Sequence, residues 1–317
     1  MRIVVIGATG HIGSYLAPML VEAGHEVVAV ARGARQPYVE GAAWRSVRRV
    51  SMDRAAEEAA GTFGARVASL EPDAVIDLIC FEPASAQSLV DALAGRVRHF
   101  LHCGSIWVHG HATVVPTDEA APRRPLCDYG RKKNAIDDLL MRAARTSGFP
   151  ATVLHPGHIV GEGWAPINPQ GHLGLWVFQK LARGEDLALP NLGMETLHHV
   201  HAADVALAFV LALQNWSASV GESFHVVSPG AVTLRGYAEA AAAWFGREAN
   251  VALQPWEQWR AGVTEQEAAI TWDHIRHSPN CSIARARKLL GFEPRYTSLQ
   301  ATRQSVEWLL EQGQLTV

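Results

Sequence analysis

The chain has 317 residues, 48% of them hydrophobic, which allows one large domain or two unequal ones. Its 28 basic and 31 acidic side chains give a net charge of −3, so we expect neither a nucleic-acid nor a membrane-surface partner. The apolar runs are too short for a membrane span or a signal-peptide core. Four cysteines without a C-x-x-C pair predict free thiols and a cytoplasmic protein.

Strand and helix patterns alternate through the first half of the chain. Short β-branched or apolar runs predict strands, and apolar residues at helical spacing predict helices. The predicted strands are 3–6, 26–31, 73–80, 99–102 and 151–154, and the predicted helices are 12–23, 55–70, 85–94 and 129–146. This alternation predicts an α/β fold with a Rossmann-type, doubly wound parallel sheet, covered by helices on both faces.

The pattern changes after His155, where residues 155–172 are rich in glycine and proline. We therefore expect a dinucleotide-binding domain over 1–160. Residues 197–214 read as a short strand and a helix that return to this domain. The remaining segments, 161–196 and 215–317, are predicted to form a smaller C-terminal substrate-binding lobe that ends in a helix at 299–312.

Residues 7–13 read GATGHIG and lie between the first predicted strand and the first predicted helix. In such a loop the first glycine allows a tight turn, the second lets the backbone approach a pyrophosphate, and the third lets the helix pack closely on the sheet. The helix then presents free N–H groups to the phosphates. The loop predicts a dinucleotide site, with contacts from Gly7, Thr9, Gly10, His11, Ile12 and Gly13.

The end of the second strand indicates which dinucleotide binds. An NAD site usually has an acidic residue there, bonded to the ribose 2′-OH. Residues 31–35 instead read ARGAR, and the forked donors of Arg32 suit a 2′-phosphate. NADP is therefore favoured. NAD stays open, because Arg32 stacked on adenine would serve either cofactor.

Tyr129 and Lys133 are four residues apart on a predicted helix, so they share one face. A phenol has a pKa of about 10, and a nearby positive charge favours the phenolate. The pair is expected to be a proton donor and acceptor for a substrate oxygen.

Several segments together resemble the extended short-chain dehydrogenase/reductase family, which includes nucleotide-sugar epimerases and dehydratases. The glycine loop matches the family's loop, and CGSIWVHG at 103–110 resembles its serine segment, with Ser105 at the serine position. The segment from Pro116 to Lys133 resembles the P-x-x-E loop leading into Y-x-x-x-K. HPGHIVGEG at 155–163, HAADVA at 201–206 and the tail at 282–308 resemble further family motifs.

The resemblance implies an NAD(P)-dependent enzyme in which Tyr129 exchanges a proton with the substrate oxygen. Lys133 would lower the pKa of that tyrosine and hold the nicotinamide ribose, and Ser105 would hydrogen-bond the same substrate oxygen. The implied cofactor contacts also include Arg32, Leu78, Ile79, Cys80, Cys103, Lys133 and Pro156. Many members of the family are dimers, so a homodimer is an expectation by analogy.

Two departures from the family concern its usual diphosphate substrate. His158 stands where an asparagine commonly contacts the sugar diphosphate, and Leu197 stands where an arginine often neutralises it. A desolvated pyrophosphate needs charge-assisted donors, so a smaller, non-nucleotide substrate is favoured. Candidate substrate-binding residues are Trp107, His109, His158 and His199, with His111, Trp164 and Trp176 as further aromatic or imidazole candidates.

The sequence therefore predicts reversible hydride transfer between nicotinamide and an alcohol or carbonyl carbon. An epimerase or dehydratase that restores its cofactor in each turnover remains an alternative. A cofactor-sensing or RNA-binding relative without catalysis is a second alternative, disfavoured by the presence of Ser105, Tyr129 and Lys133 together. The pairs His109/His111 and His199/His201 have spacing that can bind zinc, but we expect no metal because the implied chemistry needs none.

Overall fold

The computed structural model describes residues 1–39 and 41–317. Thirteen strands are assigned within these residues: β1 Arg2–Ile6, β2 Glu26–Ala31, β3 Arg48–Ser51, β4 Ala74–Asp77, β5 His99–Cys103, β6 Ala151–Pro156, β7 His158–Val160, β8 Leu187–Pro190, β9 Thr196–Leu197, β10 His199–His201, β11 Ser223–Val226, β12 Val232–Thr233 and β13 Val251–Gln254.

Thirteen α-helices are assigned in the same described residues. They are α1 His11–Glu22, α2 Arg54–Ala59, α3 Phe63–Ala68, α4 Pro83–Leu93, α5 Asp128–Ser147, α6 Trp176–Arg183, α7 Ala202–Gln214, α8 Trp216–Ser219, α9 Leu234–Trp244, α10 Trp256–Arg260, α11 Glu265–His277, α12 Ala284–Leu290 and α13 Ser298–Glu311.

Seven strands form one sheet in the order β11-β6-β5-β4-β1-β2-β3, and every neighbouring pair is parallel. The chain runs outward from β1 in both directions, so the strand order reverses beside β1. In register, Val5 of β1 lies opposite Ala29 of β2 and Ile76 of β4. A reversal of this kind opens a crevice at the carboxyl ends of the central strands, where ligands bind in open α/β sheets. The predicted Rossmann-type fold is confirmed.

The sheet is covered on both faces because its strands are apolar on both sides. Ile3 and Val5 of β1 belong to the core beneath α1, α7 and α12, whereas Val4 and Ile6 belong to the core beneath α3, α4 and α5. Successive side chains of a strand point to opposite faces, which explains this division. A third core joins α6, β8, α9 and α13, and it includes Phe178 and Tyr237.

Two local predictions differ from the structure. The helix predicted over 55–70 is two short helices, α2 and α3, separated by Gly61 at φ +69°. β3 was not predicted, because its sequence RRVS lacks an apolar run and its arginines are exposed at the edge of the sheet.

The domain boundary also differs from the expectation. β11, within the segment 215–317 assigned to the smaller lobe, pairs with β6 and forms the edge of the large sheet. Residues of the segment 281–292 pack in the same core as α1 and α7. Two later segments therefore belong to the large domain. β11 pairs with the otherwise open edge of β6, and apolar residues of 281–292 pack in the core with α7. How the rest divides into lobes remains a proposal.

Candidate active site

A cleft of about 870 Å³ opens at the carboxyl ends of β1, β2, β4, β5 and β6, and we call it the cofactor cleft. Twelve of the thirteen predicted cofactor-binding residues line it: Gly7, Thr9, Gly10, His11, Ile12, Gly13, Arg32, Leu78, Ile79, Cys103, Lys133 and Pro156. Cys80 does not line it, because its side chain is 1% exposed, but its carbonyl oxygen accepts a hydrogen bond from Lys133. β4 ends at Asp77, so the loop after it carries Leu78 and Ile79 into the cleft.

The glycine loop packs so closely against its neighbours that a side chain would not fit at two of its glycines. A Cβ on Gly13 would lie 2.3 Å from the Ala8 carbonyl oxygen, and one on Gly7, at φ +86°, would lie 2.7 Å from Ile79. Among the described residues, no side chain caps the amino terminus of α1 at Gly10, so its first N–H groups are free to bind a phosphate. The loop thus fits the pyrophosphate of a dinucleotide.

Three arginines that follow β2 and β3 also line the cleft. Arg32 follows β2 directly and is exposed, and within the described part of the chain no carboxylate pairs with it. Arg35 donates to the Tyr38 hydroxyl at 2.9 Å. Arg54 is held by the buried carboxylate of Asp77 at 2.8 Å and by Glu58 at 2.7 Å, so its charge is already neutralised. Of the three arginines, Arg32 therefore has the side chain with the fewest partners in the protein, and it is the best suited to bind a cofactor phosphate.

The buried ammonium of Lys133 is fixed by two backbone oxygens. Its Nζ donates to Cys80 O at 2.8 Å and to Cys103 O at 2.7 Å, which ties α5 to the ends of β4 and β5. Burial lowers the pKa of Lys133 from its usual value. The side chain is 2% exposed but still lines the cleft, where a ribose hydroxyl could meet its remaining donor.

Tyr129 lies at the mouth of the same cleft and is 42% exposed, with the edge of the Trp107 ring against it. Desolvation of the hydroxyl raises the pKa of Tyr129 to about 12, and the nearby Ser105 hydroxyl lowers it only in part. The Lys133 Nζ is 5.9 Å from the Tyr129 ring centroid and is engaged by the two carbonyls. The expected lowering of the Tyr129 pKa by Lys133 stays a prediction.

None of the four predicted substrate-binding residues lines the cofactor cleft. Trp107 and His158 lie behind Tyr129 in a cluster with His274 and His277, where the Trp107 and His277 rings stack with centroids 4.3 Å apart. His109 bonds His225, Nε2 to Nε2, at 2.8 Å. His199 is fully buried against Tyr237. As substrate contacts these residues remain predictions.

The structure adds residues to the cleft that the sequence did not single out as cofactor contacts. Trp164 stacks on His11 with centroids 5.2 Å apart, bringing the loop after β7 against the glycine loop. Phe81 lies under the Lys133 ammonium at 4.6 Å. Asp53 and Arg54 enter the cleft because they follow β3, the strand whose sequence carried no recognisable signal.

The positions of the two missing diphosphate anchors carry no positive charge. Burial holds the pKa of His158 well below its usual range, with His274 and His199 adding to the effect, so the imidazole is neutral at pH 7. Leu197 is fully buried in the third core, which also contains Phe178 and Tyr237. Neither position offers the cation that a desolvated diphosphate requires.

Within residues 1–39 and 41–317, no group of three or more metal-ligating side chains converges on one point. In the same residues, no helix combines the length and apolar character needed to cross a membrane. All four cysteines are free thiols.

Comparison with known proteins identifies the family and the fold. Residues 3–226 match the NAD dependent epimerase/dehydratase family. The chain is 28% identical to 2′-dehydrokanamycin reductase from Streptomyces kanamyceticus over 87% of this chain and 76% of that protein. It is 26% identical to chloroplast stem-loop binding protein of 41 kDa b from Arabidopsis thaliana, over 76% of this chain and 62% of that protein.

The fold is similar to that of UDP-glucose 4-epimerase from Thermotoga maritima, solved with UDP-glucose. The TM-score is 0.74 with 21% identity, covering 98% of this chain and 99% of that one. The chain therefore belongs to the NAD dependent epimerase/dehydratase family, and it is an NAD(P)-dependent enzyme of the extended short-chain dehydrogenase/reductase type, as its motifs predicted.

Proposed function

We propose that this enzyme is an NADP(H)-dependent oxidoreductase that transfers hydride reversibly between nicotinamide and an alcohol or carbonyl carbon of a small, non-nucleotide substrate. The observation that carries the proposal is that Ser105, Tyr129 and Lys133 line the same cleft as the glycine loop. A bound nicotinamide would supply or accept the hydride. The protein would supply the proton, the hydrogen bonds that position the substrate, and the apolar side chains of the cleft wall.

The proton would come from Tyr129. A phenol is protonated at neutral pH, so Tyr129 can give a proton to the oxygen of a carbonyl as hydride transfer makes that oxygen strongly basic. Ser105 lines the same cleft as Tyr129 and can hold that same oxygen. Lys133 fixes the ends of β4 and β5 around the site and has a donor left for the cofactor ribose.

The preference for NADP(H) is supported by Arg32 at the end of β2, where Ala31 leaves no carboxylate to bind a ribose 2′-OH. The non-nucleotide substrate is supported by the uncharged positions His158 and Leu197. The reductase relative acts on 2′-dehydrokanamycin by its name, so a ketone on a sugar without a nucleotide is a reasonable first probe.

The test follows NADPH oxidation at 340 nm with 2′-dehydrokanamycin as the carbonyl probe and UDP-glucose as the nucleotide-sugar probe. We expect one NADPH consumed for each carbonyl reduced. Tyr129→Phe should lower kcat by a factor on the order of 100 to 10,000, because it removes the general acid. Its dissociation constant for NADPH, from fluorescence titration, should stay within about twofold of the parent value. Parental kcat in Tyr129→Phe would overturn the catalytic assignment.

The epimerase or dehydratase alternative is favoured by the family description and by the epimerase fold. Stoichiometry separates the two reactions. Conversion of UDP-glucose to its 4-epimer without net change in the cofactor would establish the epimerase and reject the non-nucleotide substrate.

A non-catalytic RNA-binding role is the remaining alternative, since one relative is named a stem-loop binding protein. A stem-loop RNA titrated against the protein should show no saturable binding at 150 mM salt, about the ionic strength of a cell. We further propose a homodimer, by family analogy, and a cytoplasmic location, in keeping with the free thiols. Light scattering of the purified protein would measure the first.

A further inference from the structure

The backbone of Ser105 is held from behind by one buried imidazole. His155, on β6, is 1% exposed, and its Nδ1 lies 3.1 Å from Ser105 N and 2.9 Å from Ser105 O. A Cβ on Gly104 would lie 2.7 Å from the same Nδ1, so the glycine in the serine segment makes room for the ring. His155 therefore packs directly beneath the residue that would orient the substrate oxygen.

The other side of this imidazole meets a buried carboxylate. The Asp137 Oδ2 lies 2.7 Å from His155 Nε2, and Arg123 Nη1 lies 2.7 Å from the same oxygen. Burial raises the pKa of Asp137, but the hydrogen bonds from His155 and Arg123 and the charge of Arg123 outweigh it and hold the value below the usual range. An ionised carboxylate accepts hydrogen bonds only, so His155 must carry a proton on Nε2. In the neutral ring Nδ1 is then an acceptor for the Ser105 N–H.

The carboxylate comes from the helix that also carries the catalytic pair. Tyr129, Lys133 and Asp137 follow one another at intervals of four on α5, so they lie along one stripe. Tyr129 reaches the cleft, Lys133 binds the carbonyls of Cys80 and Cys103, and Asp137 binds the imidazole under Ser105. One face of α5 therefore carries Tyr129 and Lys133 and also holds Ser105 in place, through Asp137 and the imidazole beneath it.

We propose that Asp137 and His155 are positioning residues, a buried carboxylate–imidazole pair that fixes the peptide of Ser105 so that its hydroxyl stays in the cofactor cleft that Tyr129 also lines. The proposal rests on the proposed function, because Ser105 and Tyr129 are assigned to catalysis there. Neither Asp137 nor His155 lines the cofactor cleft, so both act through Ser105.

Asp137→Asn in an Arg123→Met background tests the pair, because Arg123 donates to the same Asp137 oxygen and would otherwise keep an amide oxygen in that position. In this background, which serves as the parent in the measurements below, the introduced amide can donate to His155 Nε2. That donation moves the ring proton to Nδ1 and removes the acceptor for the Ser105 N–H. In protein labelled with ¹⁵N-histidine, the parent should show the Nε2–H form of His155 and the variant the Nδ1–H form. Amide hydrogen exchange of Ser105 should become at least about tenfold faster, since that N–H loses its partner.

Turnover provides the second measurement. With NADPH and 2′-dehydrokanamycin, Asp137→Asn should lower kcat by a factor on the order of 100, as expected when a reacting group is misplaced. KM and the dissociation constant for NADPH should change less than about twofold. Asp138→Asn, the next residue on α5 and exposed at the surface, is the matched control and should retain the parental kcat and Ser105 exchange rate.

Two substitutions of His155 separate its two contacts. Asn places an amide near the position of Nδ1 and keeps the contact with Ser105, whereas Gln places one near Nε2 and keeps the contact with Asp137. His155→Asn should therefore retain at least about tenfold more kcat than His155→Gln, although each loses one buried hydrogen bond. Equal losses would indicate a role in stability alone and would overturn the proposal.

The outcomes distinguish this inference from the proposed function. If Tyr129→Phe abolishes turnover while Asp137→Asn keeps the parental kcat, histidine form and Ser105 exchange, the positioning pair is rejected and the function stands. If Tyr129→Phe keeps its turnover, the proposed function fails, and the exchange and NMR results still decide whether Asp137 and His155 hold Ser105.

Discussion

At the scale of single residues, Tyr129 and Lys133 share a helix face but meet different surroundings. Lys133 is buried and bonded to two carbonyl oxygens, whereas Tyr129 is partly exposed at the mouth of the cofactor cleft. The four-residue spacing predicted the shared face correctly. It could not reveal the carbonyls of Cys80 and Cys103, because these come from other strands and only folding brings them to the ammonium.

This difference predicts opposite effects on stability. Lys133→Met leaves two buried carbonyls without a charged donor, so it should lower the free energy of unfolding by about 2–4 kcal/mol. Tyr129→Phe, at a position that is 42% exposed, should lower it by less than about 1 kcal/mol. Urea denaturation of both variants measures the two values. A Lys133→Met variant as stable as Tyr129→Phe would contradict the structural role assigned to the ammonium.

Cofactor choice is also decided at a single residue. Arg32→Asp should reverse the preference, lowering kcat/KM for NADPH and raising it for NADH, by about tenfold or more in the ratio, because a carboxylate repels the 2′-phosphate and accepts from the 2′-OH. Steady-state kinetics with both cofactors measure the ratio. Arg45→Asp, an equal charge change at an exposed residue that does not line the cleft, should leave it unaltered. A parent enzyme that prefers NADH would contradict the assignment.

At the scale of elements, the glycine loop and α1 form the most predictable part of the site. The sequence indicated the loop because each glycine answers a steric need, and the structure shows those needs in the contacts that a Cβ would make. By contrast, β3 was not predicted, because an exposed edge strand needs no alternation of apolar residues. Asp53 and Arg54, which follow β3 and line the cleft, were therefore not predicted as cofactor contacts either.

Gly13→Ala tests the close packing of α1 on the loop. Its Cβ would lie 2.3 Å from the Ala8 carbonyl oxygen, so the helix must move away and its free N–H groups with it. The affinity for NADPH, measured by fluorescence titration, should fall by at least about tenfold, which corresponds to 1.4 kcal/mol. Gly230→Ala, where a Cβ meets no atom within 4 Å, is the control and should bind like the parent. Equal affinities in the two variants would show that the loop adapts.

At the scale of the whole molecule, buried neutral histidines link stability to pH. Burial lowers the pKa of His198 and His274 to about 4 and that of His199 to about 3, whereas the unfolded chain has values near 6.5. Below pH 6.5 the unfolded state therefore binds protons that the folded state does not. Their stabilising contribution is complete above pH 6.5 and is lost as the pH falls toward 4.

We therefore expect the free energy of unfolding to fall steeply between pH 6.5 and 4.5, with each such histidine contributing up to about 1.4 kcal/mol per pH unit. Urea denaturation at several pH values measures the slope. His199→Gln, which cannot be protonated, should reduce the slope by the share of one histidine even if it lowers stability overall. A slope identical to the parent would show that His199 does not titrate as the structure indicates.

The sequence by itself determined the fold class and predicted the dinucleotide loop and the catalytic residues, because these depend on local patterns: strand and helix periodicity, the spacing of glycines, and a phenol and an ammonium one turn apart. Tertiary structure decided the rest. Pairing of β11 with β6 moved part of the later chain into the large sheet, and desolvation raised the pKa of Tyr129. It also brought Asp137 and His155 beneath Ser105. These features arise from contacts between segments distant in sequence, so no local pattern records them.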